Sequence, residues 1–304
     1  MDLIFDKAVI GIVGSIMGDF EIVKDHRGDN ERTGVAEILS NGQRFFVKIH
    51  NRLSHWHPEV FAYKNWTKAI EPLAPAMYAS FNNGDIFGII TTPVIGRTVN
   101  ETQISDPSKL VKIYYSAGQL FQRMQKGTSN SFFGIPREDG TPYEEKAITN
   151  SEAYISGSIE TLFKLGYDKG LFTDAHKQLV ERCLHHCALF CDETPTFTNW
   201  DFSQNNWMVD DSGDFTGFID FESTLWGLPL DSFGVITERY TFDRPILKEA
   251  FFEGYGLPDD DVTEEKMKIL SVKMALADIY NGYSHNHPRF LACGERMLSH
   301  LMGN

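Results

Sequence analysis

The 304-residue chain lacks the features that would place it in several large protein classes. It has no run of eighteen apolar residues, so no helix is expected to span a membrane. It has four cysteines, Cys183, Cys187, Cys191 and Cys293. Three of them fall at i, i+4 and i+8 in "ERCLHHCALFC", a stripe along one helical face. That spacing matches none of the loop-borne pairs zinc uses, so they read as buried thiols on a core stripe. Positive charge is scarce: 28 Lys and Arg stand against 42 Asp and Glu, a net charge of −14. This argues against a nucleic-acid partner, which would want a basic face. A cationic small molecule is compatible with this balance; an acidic surface also simply keeps a protein soluble. Repeats, low-complexity tracts and long charge runs are missing. The N-terminal "MDLIFDKAVIGIVGSIMGDFEIV" has no basic n-region, and Asp2, Asp6 and Asp19 interrupt it. It therefore does not read as a signal peptide, and a cytoplasmic protein with no membrane partner is expected.

What is present has two characters. The first third reads as strands. "RTGVAEILSNGQRFFVKIH" holds two β-rich runs around Asn41-Gly42, a strong hairpin signal. A helix is expected over about 58–70, with Pro58 at its first position. "His-Trp-His-Pro" at 55–58 reads as a turn before that helix. "AMYASFNNGDIFGIITTPVIG" is a second hairpin turning at Asn83-Gly84. Residues 1 to about 92 thus form a small antiparallel sheet carrying one helix. After Gly96 the period changes. Asp106 caps a helix, Pro107 opens it, and Leu110, Ile113, Tyr114, Ala117, Phe121 and Met124 recur at helical spacing. Further helices are expected at about 150–166, 174–191, 245–255 and 263–281. The acidic triplet at 259–261 reads as a solvated helix start with Asp261 as cap; the alternative is that it lines an entrance for a cationic substrate. One short hairpin, "NNWMVDDSGDFTGFIDFE", interrupts the helices.

The chemistry gathers around that hairpin. "TFTNWDFSQNNWMV" puts Asp201 and Asn206 five apart among aromatic and apolar residues, on the loop entering the first strand. Asp220 ends the second strand, and cross-strand pairing brings it near Asn206. A carboxylate and an amide are hard oxygen ligands suited to Mg²⁺, which takes one or two carboxylates plus substrate phosphates. Asp201 is left as a proton acceptor beside it. Upstream, Lys48 ends the apolar β-run "RFFVKI". A buried ammonium needs a partner, and Glu59, on the next predicted helix, can supply it. Such a pair is a positioned cation for phosphate. Glu222, two residues beyond Asp220, is a candidate for tuning the site or meeting substrate. Asp231 reads as a structural acid that holds the catalytic loop by hydrogen bonds.

Lys48 on a strand, Glu59 on the next helix, Asp201-x4-Asn206 and then Asp220 resemble the protein-kinase-like fold. The details resemble its small-molecule branch, the aminoglycoside phosphotransferase family. "DFSQNNWMVDDSGDFTGFIDFE" is similar to that family's catalytic and metal-site segment, with "DFxxNN" in the form seen in hygromycin phosphotransferases. "GLPLDSFG" and "FFEGYGLP" resemble later family segments. The resemblance implies a bilobal α+β fold. Residues 1–95 would be an antiparallel nucleotide-binding lobe. Residues 96–304 would be a mainly helical lobe with the embedded hairpin, catalytic loop, metal site and substrate-binding helices. It implies Asp201 as catalytic base, Asn206 and Asp220 on Mg²⁺, and Lys48 paired to Glu59 on the α- and β-phosphates of ATP or GTP. The backbone of Thr92 and Val94 would meet the adenine edge. The acceptor would be a small hydroxylated molecule, foremost an aminoglycoside-type antibiotic. A metabolite kinase for choline, a sugar or homoserine is the alternative, and a nucleotide-binding pseudokinase the rival from another class. Two departures motivate that rival. Asn199-Trp200 stand where the family has His-Gly, and "KDHRGDNERTG" replaces a kinase-type Gly-rich loop.

Overall fold

The computed structural model describes residues 7–26 and 33–303. In chain order the elements are α1 (Lys7–Met17), β1 (Glu21–Asp25), β2 (Thr33–Ser40), β3 (Gln43–His50), α2 (Leu53–Asn65), β4 (Met77–Asn83), β5 (Ile86–Thr91), β6 (Arg97–Thr98) and α3 (Val99–Thr102). There follow α4 (Pro107–Gln125), α5 (Ser151–Tyr167), α6 (Asp174–His185), β7 (Thr196–Asn199), β8 (Trp207–Val209), β9 (Phe215–Phe218), β10 (Thr224–Gly227), α7 (Pro245–Tyr255), α8 (Asp261–Ser284) and α9 (Pro288–Gly303). A π-helix, Val235–Tyr240, precedes α7. Two compact units divide the chain. The first is Met1–Gln103 with Ile135–Tyr143 and Gln204–Thr224; the second is Ile104–Gly134, Glu144–Ser203 and Leu225–Asn304.

The first unit is an antiparallel sheet of order β1-β2-β3-β5-β4. Its central hairpin pairs Ser40 with Gln43 across a two-residue turn. Asn41 and Gly42 both take positive φ there, 51° and 75°. That is the backbone such a turn requires, and Asn and Gly are the residues that adopt it readily. In the second hairpin Asn83 pairs with Ile86, so the turn residues are Gly84 and Asp85, one place later than expected. Side chains alternate along β3. Phe45, Val47 and Ile49 enter a core with Val9, Val13 and Met17 of α1, plus Ile38, Phe81 and Ile90. Phe46, Lys48 and His50 therefore point to the opposite face.

The sheet carries α1 as well as α2, where one helix was expected. Val9, Val13 and Met17 sit four apart, a helical seam that a strand reading of this apolar stretch overlooks. Helix α2 begins at Leu53, so Pro58 lies inside it rather than at its start, and His55 and His57 lie on the helix rather than in a turn. At the sixth position of the helix the proline removes one hydrogen bond from the ladder, the one a residue 58 N–H would give to the Ser54 carbonyl. The Trp56 indole N–H donates to Gly88 O at 3.0 Å and fastens α2 to β5. The short strands β6, β8 and β9 form a second sheet of this unit.

The second unit is helical around two cores. One joins α5, α6, α8 and α9 through Ile155, Ile159, Leu179, Ile269, Leu276 and Leu298, among others. Helix α6 stops at His185, a turn and a half before the expected end. The following 3₁₀ turn at 187–190 breaks the cysteine stripe. Cys183 and Cys187 are buried as expected, but Cys191 is exposed. Helix α8 is capped by Asp260, not Asp261: its Oδ1 accepts the Thr263 N–H at 2.7 Å. In the other core, α4 crosses α7 at two glycines. A Cβ at Gly118 would collide with the Phe251 carbonyl, and one at Gly254 with the Tyr115 carbonyl. Gly118→Ala is accordingly expected to cost about 1–3 kcal/mol or more by overpacking. Gly157→Ala, where a Cβ meets nothing within 4 Å, should gain up to about 1 kcal/mol. Urea midpoints of the two variants check this; equal shifts would contradict it.

Candidate active site

The face of β3 turned away from α1 carries the densest charge cluster of the first unit. Lys48 Nζ lies 2.9 Å from Glu59 Oε2, 2.9 Å from Asp220 Oδ1 and 2.9 Å from Glu222 Oε2. The Glu59 side chain is 1% exposed and that of Lys48 11%. Burial alone would push the ammonium's pKa down, but Asp220, Glu59 and Glu222 hold it well above the ordinary lysine value. The Lys48 charge is therefore permanent. Burial would raise Glu59; Lys48 and the adjacent His50 outweigh it and bring Glu59 down to about 2. His50 Nε2 stands 3.0 Å from Glu59 Oε2 and is wholly enclosed. Asp220 goes the other way: burial, with Glu222 and Glu59 nearby, outweighs Lys48 and raises its carboxyl above the usual range.

The elements explain why these four meet. Glu59 projects from α2, and its Oε1 accepts the Phe221 N–H at 3.3 Å, which ties the segment after β9 to the helix. Thr224 Oγ1 donates to Pro58 O at 3.2 Å and adds a second tie. Asp220 takes a φ of +68°. Aspartate tolerates that region better than most residues, but at a cost, and such positions gather at functional sites. Asn206 is carried next to this segment by the β8–β9 ladder: Trp207 pairs with Phe218, and Ile219 N–H donates to Asn206 O at 3.0 Å. The side chains of Asn206, Asp220 and Glu222 offer hard oxygen donors only, a chemistry that fits Mg²⁺. His50, Glu59 and Glu222 also bring three ligand atoms within 4.8 Å of one another. Because the Lys48 ammonium bridges two of these carboxylates, they form a cation pocket already held by lysine.

Asp201 belongs to the second unit. It follows β7, whose residues Thr196–Asn199 are all buried. Asn199 Oδ1 accepts the Asp201 N–H at 2.7 Å, and Asn199 N–H donates to Ser232 Oγ at 2.9 Å. Behind the loop, Phe202 is fully buried; its ring centroid is 4.6 Å from Phe121 and 6.2 Å from Phe251. Gln125 Nε2 donates to both Phe197 O and Pro229 O at 2.8 Å, and Gln125 Oε1 accepts from Tyr255 at 2.6 Å. The aromatic residues beside Asp201 are thus the anchors of a rigid loop. Asp201 itself is partly buried on that base.

Thr92 and Val94 follow the end of β5. Thr92 N–H donates to Ala76 O at 2.9 Å, and Thr92 Oγ1 accepts from Ala76 N at 2.9 Å. This leaves the carbonyl, not the N–H, as the Thr92 group able to face a base. The segment in place of a Gly-rich loop includes residues 27–32, which lie outside the described residues.

A family model described as "Phosphotransferase enzyme family" (APH) matches residues 23–268. The chain belongs to this family. Among solved structures it resembles a thermostable mutant of aminoglycoside phosphotransferase APH(4)-Ia in ternary complex with ADP and hygromycin B. Identity is 14% over 97% of this chain and 98% of that one, with a TM-score of 0.73. It also resembles the gentamicin complex of APH(2″)-IIa, at 17% identity over 97% and 96% of the two chains and a TM-score of 0.63. No curated protein sequence matches. The protein is thus a phosphotransferase with the kinase-like α+β fold of that family.

Against the phosphotransferase pattern, Trp200 in the glycine position is no backbone defect. Among the described residues, positive φ outside glycine occurs at Asn41, Gln103, Asp220 and Asn286, and Trp200 is not one of them. Asp231 differs from expectation. It bonds Lys273 and the Tyr154 hydroxyl, while the bond to the segment before Asp201 comes from its neighbour Ser232. Two site members were not foreseen in these roles: His50, and Glu222 as a direct partner of Lys48. His50 is two residues from Lys48 on the same strand, so a period-of-two reading of "VKIH" would have placed both on one face.

Removing the lysine should expose the cost of the cluster. Lys48→Met strands three carboxylates and is expected to lose about 3–5 kcal/mol. In the native protein Glu59, held at about 2 against an ordinary 4.5, contributes stability that is complete above pH 4.5 and fades as pH falls through about 2. In the variant the folded state binds protons that the unfolded state does not, so acidification from about pH 7 to 5 should recover more stability than in the native protein. Urea midpoints across that range test this; parallel curves would contradict it.

Proposed function

We propose that this phosphotransferase moves the γ-phosphate of ATP or GTP to a hydroxyl of a small, cationic acceptor of the aminoglycoside type. The observation that carries the reading is the buried Lys48 ammonium, 2.9 Å from Glu59 and 2.9 Å from Asp220. A cation held by one acid and set beside a second is the arrangement needed to seat nucleotide phosphates next to a metal. In this reading Lys48, oriented by Glu59, takes the α- and β-phosphates, and Glu222 holds the same ammonium from its other side. Asn206 and Asp220 hold Mg²⁺, which when bound neutralises the charge on the phosphates. The Thr92 carbonyl and the Val94 backbone meet the base. Asp201, with its backbone tied to Asn199, accepts the proton of the acceptor hydroxyl. The solved structures with hygromycin B and gentamicin and the net charge of −14 favour a polycationic acceptor.

The test is a phosphorylation screen over aminoglycosides and over choline, sugars and homoserine with both nucleotides, read as the mass gain of one phosphoryl group. Modification of an aminoglycoside is expected. Turnover confined to a metabolite would overturn the acceptor class, and no transfer to anything would overturn the reading. Asp201→Asn should lower kcat by about 10²–10⁴ while Mg-nucleotide binding survives; unchanged turnover would remove Asp201 from the chemistry. Asp220→Asn should weaken Mg-nucleotide binding, and an unaltered Mg²⁺ titration would count against its metal role.

A further inference from the structure

The side chain of Trp200 has a specific partner. The Lys273 ammonium, on α8, lies 5.1 Å from the centroid of the Trp200 ring and 5.0 Å from that of Tyr154. Lys273 also forms an ion pair with Asp231, whose other carboxylate oxygen accepts the Tyr154 hydroxyl at 2.9 Å. Lys273 and Asp231 are both buried, while Trp200 is 42% exposed. An ammonium has three donor directions, and in a buried setting each must be satisfied. Asp231 meets one of them, and the two aromatic faces supply the rest of the negative environment. A desolvated ammonium over an indole is the strong form of this interaction.

The consequence lies one residue along the chain. Trp200 connects Asn199, pinned by Ser232, to Asp201, whose N–H is bound by the Asn199 side chain. A glycine at 200 would leave the rotation between these residues unheld by any side chain. With an indole lodged on the Lys273 ammonium, the backbone at 200 is fixed from α8, and the departure point of the Asp201 side chain is fixed with it.

We propose that Trp200 is a positioning residue for Asp201. It acts through the Lys273–Asp231 ion pair. The proposal rests on the reading of Asp201 as the proton acceptor. Asp201→Asn abolishes the base itself; Trp200→Leu leaves the base in place and loosens it.

The test compares Trp200→Leu with Trp200→Phe, which keeps an aromatic face for the ammonium, and with Lys273→Arg, which keeps the charge. Trp200→Leu should lower kcat about 10- to 100-fold through misplacement of the base. The KM values for Mg-nucleotide and acceptor should hold, and Tm should move by no more than about 4 °C. Trp200→Phe and Lys273→Arg, each made alone, should keep most of the native kcat. A rise in acceptor KM at unchanged kcat would make Trp200 a substrate-stacking surface and overturn the proposal. A fall in Tm without a change in kcat would make it a packing residue and overturn it equally. A second arm needs no turnover. Amide hydrogen exchange of the protein without ligands should quicken at residues 199–203 in Trp200→Leu, while α4 and α7 stay unchanged. Unchanged exchange at 199–203 overturns the proposal even if the acceptor is never found. Quickened exchange in a protein that transfers no phosphate would instead locate the failure in the functional reading.

Discussion

Everything in the first unit is arranged around one buried ammonium. Lys48 is enclosed by three carboxylates at 2.9 Å, so one positive charge faces three negative ones and the cluster is two positive charges short of balance. That excess of negative charge is the physical core of the site. It keeps the lysine charged despite burial and pushes Asp220 toward holding its proton. Under the proposed function, the divalent cation held at Asp220 would relieve part of that imbalance. The elements that hold the cluster do so by backbone and side-chain ties between α2 and the segment after β9. The positive φ of Asp220 is a strain that these ties sustain.

The second unit solves a different problem, keeping the partly buried Asp201 at a fixed place. It does so with bulk. Phe202 is driven into the rings of Phe121 and Phe251, Gln125 straps two carbonyls behind the loop, and Asn199 folds back on the Asp201 amide. Under the proposed function, rigid support of this kind is what a positioned proton acceptor requires, since small displacements of a catalytic group are expensive in rate. The close crossing of α4 and α7 at Gly118 and Gly254 seats the same aromatic cluster.

Much of this was legible in the sequence, for identifiable reasons. The Asn41-Gly42 turn has a nearly unique backbone solution, so β2 and β3 could be read in register. Lys48 at the end of an apolar run had to find an acid, and Glu59 was the nearest that a following helix could present. The order Lys48, Glu59, Asp201, Asn206, Asp220 is a family signature, and the kinase-like fold follows from it. What escaped was tertiary. Helix α1 was lost because a short apolar stretch does not by itself distinguish helix from strand. The early end of α6 depended on a 3₁₀ turn with no strong sequence mark, and it carried Cys191 out of the core. His50 and Glu222 as partners in the lysine cluster required knowing which face of β3 was buried. The Lys273–Trp200 contact joins residues far apart in the chain, and no local pattern announces it.

The most direct measurement of the central claim is nucleotide affinity resolved by phosphate number, comparing the native protein with Lys48→Met in the presence of Mg²⁺. If the Lys48 ammonium is the phosphate-binding cation, the native protein prefers ATP and ADP over adenosine. The variant should then keep adenosine binding while losing about 10- to 100-fold for ATP, the range of one or two charge-assisted hydrogen bonds. Equal losses for all three ligands, or an undiminished preference for ATP in the variant, would contradict the account.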